Sequence, residues 1–119
     1  MHKILLIEDN PDTISDFHEI LSTKFETIIL NENFSKINIK SILDINPDLI
    51  ILDIELIKKG DIFGLKLAEM IKNHQNTKQI PIVIVSFSHE HRNNAFCDVF
   101  LSKPCEEGFL IDEIVRILQ

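Results

Sequence analysis

The sequence predicts an α/β protein with a doubly wound, five-stranded parallel sheet of flavodoxin-like strand order 2-1-3-4-5. Helices are expected on both faces, the fourth of them short. Three observations favour this fold class. Short apolar runs rich in Ile and Val recur along the chain, helical spacing of apolar residues separates them, and the strand-helix alternation repeats five times.

The predicted strands are nearly continuous apolar runs. Continuous rather than alternating hydrophobicity is typical of strands that are covered on both faces, as in a parallel sheet. The runs are Ile4 to Ile7, the weaker Thr27 to Leu30, Leu49 to Leu52, Ile82 to Val85, and Val99 to Leu101. Pro81 suits the opening of the fourth strand, where a missing N–H costs least.

Apolar residues three and four apart predict amphipathic helices after the strands. They are Ile14, Phe17 and Leu21; Ile42 and Ile45; Leu67, Met70 and Ile71; and Leu110, Ile114, Ile117 and Leu118. Between the fourth and fifth strands there is room for about two helical turns, roughly Glu90 to Phe96. We therefore expect a short fourth helix there, and expect it to be the least ordered part of the domain.

Composition limits the classes of function. The 119 residues suit one domain, expected to span residues 1–119. The formal charge of −7 repels a phosphate backbone, so direct nucleic-acid binding is not expected. No apolar run approaches the roughly 20 residues of a membrane helix, and no signal peptide is recognisable, so we expect a cytoplasmic protein that binds no membrane.

Residues able to carry chemistry stand where four strands end. In open α/β sheets, ligands bind beyond the carboxyl ends of the strands. Glu8 and Asp9 follow the first strand, Asp53 ends the third, Ser86 ends the fourth, and Lys103 follows the fifth. Each alone has an ordinary structural interpretation, since Asp9 also suits a helix cap and a single serine suits a turn. Their joint placement predicts one site.

Three carboxylates at one edge require a compensating cation. Two of them about 4 Å apart repel by around 4 kcal/mol at an effective dielectric near 20. Hard oxygen ligands with open positions suit Mg²⁺, or Mn²⁺ in its place. The Asp53 carboxylate can attack phosphorus to form an aspartyl phosphate, while Ser86 and Lys103 bind phosphoryl oxygens. Catalysis would then consist mostly of positioning and charge neutralisation.

The motifs resemble the receiver domains of two-component response regulators over essentially the whole chain. The matching runs are Ile4 to Asn10, Pro47 to Asp53, Pro81 to Ser86, and Phe100 to Pro104. The resemblance implies that Asp53 is the phosphoacceptor, that Asp9 binds the metal directly, and that Glu8 acts through metal-bound water. It also implies a metal ligand in the main-chain carbonyl of Glu55, whose acidic side chain could hold water or an extra cation.

The same resemblance assigns Ser86 and Lys103 to the phosphoryl group. It further implies a switch in which Phe100 turns inward when the hydroxyl of Ser86 moves toward the phosphate. An ordinary core aromatic is the alternative interpretation of Phe100.

Four departures from the family pattern matter, two of which are the acidic side chain of Glu55 and the short fourth helix already described. The glycine that usually follows the phosphoacceptor by about eight positions is best matched by Gly64, eleven positions after Asp53. The loop Leu56 to Phe63 is therefore expected to be about three residues longer than usual. Phe87, directly after Ser86, stands where a small residue is common, and is expected to hinder access to the phosphorylated carboxylate.

The resemblance implies a sensor histidine kinase or a histidine phosphotransfer protein as phosphoryl donor. With no output domain recognisable, output would come through contacts with an unidentified downstream protein. The chain would not be an enzyme beyond catalysing its own phosphorylation and dephosphorylation. Two alternatives stay open: a receiver-like interaction module that is never phosphorylated, and a flavodoxin-type or phosphatase enzyme. A flavin-phosphate loop would need hydroxyls and glycines where Glu8 to Pro11 offers anions and a proline.

Overall fold

Five parallel strands of the described chain form one sheet, in the order β2-β1-β3-β4-β5. The structure is a computed structural model and describes residues 1–32, 34–55 and 61–119, the side chains at 61 and 62 excepted. The strands are β1 (Lys3–Ile7), β2 (Glu26–Leu30), β3 (Leu49–Asp53), β4 (Ile82–Ser86) and β5 (Val99–Ser102). The predicted fold class and strand order are confirmed.

Four α-helices lie within the described residues. They are α1 (Pro11–Leu21), α2 (Ile39–Ile45), α3 (Asp61–Asn73) and α4 (Glu107–Leu118), and a 3₁₀ turn covers Phe34–Lys36. In α1 the cap is Asn10, whose side chain accepts hydrogen bonds from the N–H groups of Asp12 (2.9 Å) and Thr13 (3.1 Å). Asp9 is therefore not the residue that caps this helix. None of these helices has the length and hydropathy to span a membrane.

Both faces of the sheet are buried, as the continuous apolar strands predict. Alternate strand residues point to opposite faces, so each strand contributes to two separate cores. One core joins Leu5, Ile7, Ile50, Leu52, Ile82 and Ile84 with Ile42, Leu67, Ala68 and Ile71 from α2 and α3. The other joins Ile4, Leu6, Leu49, Ile51, Val83 and Val85 with Phe17, Leu21, Leu110, Ile111 and Ile114 from α1 and α4. This two-sided burial fixes the strands and thereby the positions of their carboxyl ends.

The prediction of a short fourth helix between β4 and β5 is wrong. Residues 87–98, all of them described, connect β4 to β5 through turns and bends. The N–H of Asn94 donates to the carbonyl of His91 at 3.0 Å, a turn contact. The side chain of Asn94 accepts from the N–H of Phe96 at 2.8 Å. Such side-chain bonds compete with helical ones, and this segment has too few apolar residues to hold a helix against the sheet.

Asp98 fastens the end of that connection at the amino edge of the sheet. Its Oδ2 accepts a hydrogen bond from the N–H of Ile82 at 2.7 Å and pairs with Lys72 Nζ at 2.6 Å. Lys72, in the last turn of α3, also donates to the carbonyl of Ile80 at 2.7 Å. One ion pair thus joins α3 to the starts of β4 and β5.

Candidate functional site

The parallel register brings the predicted site residues to one edge of the sheet. Asp53 lies opposite Val85, and Ser86 lies opposite Ser102. The ladder continues one step beyond β5, because the N–H of Lys103 donates to the carbonyl of Ser86 at 2.9 Å. The ends of β3, β4 and β5 are therefore held in fixed relation, which is what a site built from their side chains requires.

Asp53 lies buried at the floor of this edge, with 1% of its surface exposed. Lys103 Nζ donates to Asp53 Oδ1 at 2.8 Å, and the N–H of Glu55 donates to the same oxygen at 3.0 Å. A buried carboxylate is tolerated when a charge and hydrogen bonds compensate it, as they do here. The structure thus joins two of the predicted catalytic residues directly.

Glu8 is a second buried carboxyl group beside Asp53. Its Oε1 accepts a hydrogen bond from the N–H of Asn10 at 2.9 Å, whereas Oε2 is buried without a hydrogen-bond partner. Burial raises the pKa of Glu8 to about 8, the neighbouring Asp53 adds to the rise, and Asn10 and Lys103 oppose it. A protonated Glu8 can share its proton with Asp53, while a deprotonated one leaves Oε2 without a partner.

The acidic residues fit a hard cation by their chemistry. Glu8, Asp9 and Asp53 are all buried, with 0%, 9% and 1% of their surfaces exposed. The unpartnered Oε2 of Glu8 is an atom that a metal-bound water could satisfy. Within the described residues, however, no three acidic, histidine or cysteine side chains are grouped closely enough to form a ready-made metal site. Among the described residues, the acidic donors lie at one edge of the sheet but are not grouped around a single position.

The side chain of Glu55 has an unexpected position. Its Oε2 accepts a hydrogen bond from the hydroxyl of Ser86, and its Oε1 accepts one from the N–H of Phe87 at 2.8 Å. Oε1 also lies 3.7 Å from Lys103 Nζ. The sequence suggested a carboxylate that holds water or an extra cation, whereas the structure shows one that binds protein donors. This rotamer is set by donors 31 and 32 positions further along the chain, so the local sequence carries no signal of it.

Phe87 lies at the rim of the site, with 65% of its surface exposed. Its ring centroid is 4.6 Å from Lys103 Nζ, a cation–π contact. The aromatic ring therefore covers the ammonium group that binds Asp53. Hindered access to Asp53 itself stays a prediction.

Phe100 is half-buried and lies opposite Ile84 in the sheet. It packs against the core that includes Ile84, and its ring centroid is 6.3 Å from that of His89. This position accords with a core aromatic, and the switch role stays a prediction.

Gly64 lies where α3 approaches the end of β3. A Cβ atom at this position would lie 3.4 Å from the carbonyl oxygen of Asp53 and 3.4 Å from the Ile54 side chain. These distances are ordinary van der Waals contacts, so residue 64 packs directly against the end of the strand that carries Asp53. The predicted lengthening of the loop Leu56 to Phe63 depends on residues 56–60, which lie outside the described residues.

A groove of about 550 Å³ adjoins the site. It runs between α1 and the connection from β5 to α4. Its walls include Thr13, Phe17, Ile20, Phe87, Lys103 and Pro104. Because Phe87 and Lys103 line it, a molecule bound in the groove would touch the rim of the site.

Comparisons with known proteins agree with one another. The family described as the response regulator receiver domain matches residues 4–115. The sensory transduction protein BceR of Halalkalibacterium halodurans is 33% identical over an alignment of 125 residues that covers 100% of this chain and 51% of BceR. The chain thus spans about half the length of that relative.

Solved structures show the same architecture. The N-terminal domain of the nisin resistance regulator NsrR, a lantibiotic response regulator, has a TM-score of 0.82 and 25% identity, covering 100% of this chain and 99% of that one. The response regulator TrrA of Thermotoga maritima, in complex with Mg²⁺ and BeF, has a TM-score of 0.81. It is 24% identical and covers 99% of this chain and 100% of its own, a likeness of fold.

Proposed function

This chain belongs to the response regulator receiver domain family of two-component systems, and we propose that it accepts a phosphoryl group on Asp53 in a reaction that depends on Mg²⁺ or Mn²⁺. The observation that carries the proposal is the buried Asp53 at the end of β3, held at 2.8 Å by Lys103 beside the buried Glu8. We propose a sensor histidine kinase or a histidine phosphotransfer protein as donor, and output through contacts with a downstream protein.

The proposed reaction is a phosphoryl transfer onto a carboxylate. An oxygen of Asp53 attacks phosphorus, the bond from phosphorus to the donor atom breaks, and the electron pair of that bond leaves with the donor. Lys103 pairs with one phosphoryl oxygen and the hydroxyl of Ser86 donates to another. These groups position the phosphoryl group and neutralise its negative charge. The chain would modify only itself, so it is not an enzyme in the usual sense.

A divalent cation would be held by the carboxylates of Asp9 and Asp53 and by the main-chain carbonyl of Glu55, with Glu8 acting through bound water. When bound, it supplies positive charge that neutralises the carboxylates and the incoming phosphoryl oxygens. Support comes from the buried acidic donors and the unpartnered Oε2 of Glu8. TrrA, of the same fold, is in complex with Mg²⁺ and BeF.

Intact-mass measurement tests the proposal. After incubation with acetyl phosphate and Mg²⁺, wild-type protein should gain the mass of one phosphoryl group, and excess chelator should prevent the gain. Asp53→Asn should abolish it, whereas Asp44→Asn, an exposed carboxylate paired with Lys40, should not. Equal labelling of the Asp53→Asn variant would disprove the assignment.

A second candidate is a receiver-like interaction module that is never phosphorylated. The Phe87 ring over Lys103 and the Glu55 carboxylate on Ser86 are the observations that favour it. It predicts no mass gain in the wild-type protein with acetyl phosphate or with a phosphorylated histidine phosphotransfer protein. The flavodoxin-type and phosphatase alternatives do not agree with the family match.

A further inference from the structure

Three donors from two strand ends converge on the Glu55 carboxylate. The hydroxyl of Ser86 donates to Oε2, the N–H of Phe87 donates to Oε1 at 2.8 Å, and Lys103 Nζ lies 3.7 Å from Oε1. An O–H, an N–H and an ammonium group around one carboxylate form an anion-binding site, which we call the donor cradle. The anion that fills the cradle here is part of the chain itself.

The donor cradle adjoins the proposed phosphoacceptor. Lys103 Nζ lies 2.8 Å from Asp53 Oδ1 while it also lies 3.7 Å from Glu55 Oε1. A phosphoryl group on Asp53 would carry anionic oxygens that need donors, and Ser86 and Lys103 are the side chains proposed to bind them. Glu55 and the phosphoryl group would therefore compete for the Ser86 hydroxyl and the Lys103 ammonium group.

We infer that the Glu55 side chain is an internal stand-in for the phosphoryl group, which occupies the donor cradle in the unmodified domain and must leave it when Asp53 is phosphorylated. The inference rests on the proposed function and adds a regulatory contact to it. The contact inhibits phosphorylation, because hydrogen bonds to Glu55 must break before the new ones form. It also holds the hydroxyl of Ser86 toward the site before any phosphoryl group arrives.

Substitutions at residue 55 distinguish the effect of filling the donor cradle from the effect of the negative charge of the Glu55 carboxylate. All of them keep the main-chain carbonyl proposed as a metal ligand. Glu55→Ala removes both the carboxylate and its charge, whereas Glu55→Asp keeps the charge on a side chain one methylene too short to maintain both hydrogen bonds. Glu113→Gln is the matched control, since its side chain is 22% exposed against 30% for Glu55 and it pairs with Arg116 on α4.

The first measurement needs neither metal nor phosphoryl group. In metal-free protein, the Phe87 amide should exchange with solvent about ten-fold faster or more in Glu55→Ala and Glu55→Asp than in wild type, because it loses its acceptor. Its resonance should shift in both variants, while Glu113→Gln should resemble wild type. An unchanged Phe87 amide in Glu55→Ala would overturn the inference.

The second measurement is the affinity for beryllofluoride in the presence of Mg²⁺, determined by calorimetry. Both Glu55→Ala and Glu55→Asp should bind it about ten-fold more tightly than wild type, the effect expected from releasing one or two charged hydrogen bonds. Tighter binding by Glu55→Ala alone would show that only charge matters and would overturn the inference.

The two proposals fail in different ways. Equal affinity in wild type and in both Glu55 variants would overturn the inference while leaving the phosphoacceptor site standing. No binding and no mass gain in any protein would overturn the proposed function, and the inference with it.

Discussion

At the scale of single residues, Glu8 links protonation to stability. Its pKa is near 4.5 when unperturbed and about 8 in the folded domain. As pH rises through this window the unfolded chain loses the proton first, so the folded state is progressively disfavoured. We predict that the free energy of unfolding of metal-free protein falls by roughly 2–5 kcal/mol between pH 5 and pH 9 and then levels off.

Denaturant melts in excess chelator across this pH range check the prediction. Glu8→Gln keeps the shape of the side chain but cannot ionise, so its stability should fall much less over the same range. An identical decline in wild type and Glu8→Gln would assign the pH dependence to other groups.

Phe87 gives a second prediction at this scale. Its ring covers Lys103 Nζ at 4.6 Å, so removing it should make the ammonium group more accessible. Phe87→Ala should speed phosphorylation by acetyl phosphate, hydrolysis of the product, or both, by about three-fold to ten-fold. That range corresponds to roughly one cation–π contact.

Time courses of intact mass measure both rates. Phe87→Leu retains bulk without the aromatic face and should lie between alanine and wild type. Phe109→Ala is the control, because Phe109 is 52% exposed on α4. Unchanged rates in Phe87→Ala would show that the ring does not limit access.

The sequence predicts which residues gather at the site better than it predicts what they contact. Asp53, Ser86 and Lys103 are recognisable because strand ends fix their positions, and a parallel sheet places such ends on one edge. The Glu55 carboxylate could not be placed, because its rotamer depends on donors supplied by a different strand. Likewise, the position of Phe87 after Ser86 was visible, but its contact with Lys103 was not.

At the scale of elements, the strands and four helices were predictable and the connection from β4 to β5 was not. Apolar runs and helical spacing carry strong signals where both cores depend on them. The segment between Ser86 and Val99 contains few such residues, and its side-chain bonds to the backbone, as at Asn94, determine its turns. A helix was expected there from the strand-helix alternation, and the available length indicated only that it would be short. Neither consideration takes account of these competing side-chain bonds.

Asp98 offers a prediction for this connection. Asp98→Ala removes the acceptor for the N–H of Ile82 and the partner of Lys72, whose side chain is 16% exposed. Because the Asp98 side chain is itself 45% exposed, solvent screens part of the effect. We expect a loss of about 1–2 kcal/mol in the free energy of unfolding.

Denaturant unfolding monitored by circular dichroism measures that loss. Asp44→Ala breaks an exposed i,i+4 pair with Lys40 and should cost about 0.5 kcal/mol or less. If the two substitutions cost the same, Asp98 does not fasten the connection.

At the scale of the whole molecule, a divalent cation should stabilise the fold. A ligand that binds only the folded state adds about 2.7 kcal/mol at a concentration one hundred times its Kd. Thermal melts in millimolar Mg²⁺ should therefore show a higher Tm than melts in chelator at equal ionic strength.

Asp9→Ala separates this effect from general salt stabilisation. The variant should lose the Mg²⁺-dependent rise in Tm, because the proposed direct ligand is gone. A wild-type Tm that does not respond to Mg²⁺ would contradict a metal site among these carboxylates.

Lys72 and Asp98 join α3 to β4 and β5 at the amino edge of the sheet, opposite the edge that carries Asp53. Substitutions at the carboxyl ends of the strands therefore do not remove these two contacts, because none of the residues that make them lies there. Such a division gives the molecule evolutionary freedom, because new side chains can be tried at the strand ends without loss of the scaffold that presents them.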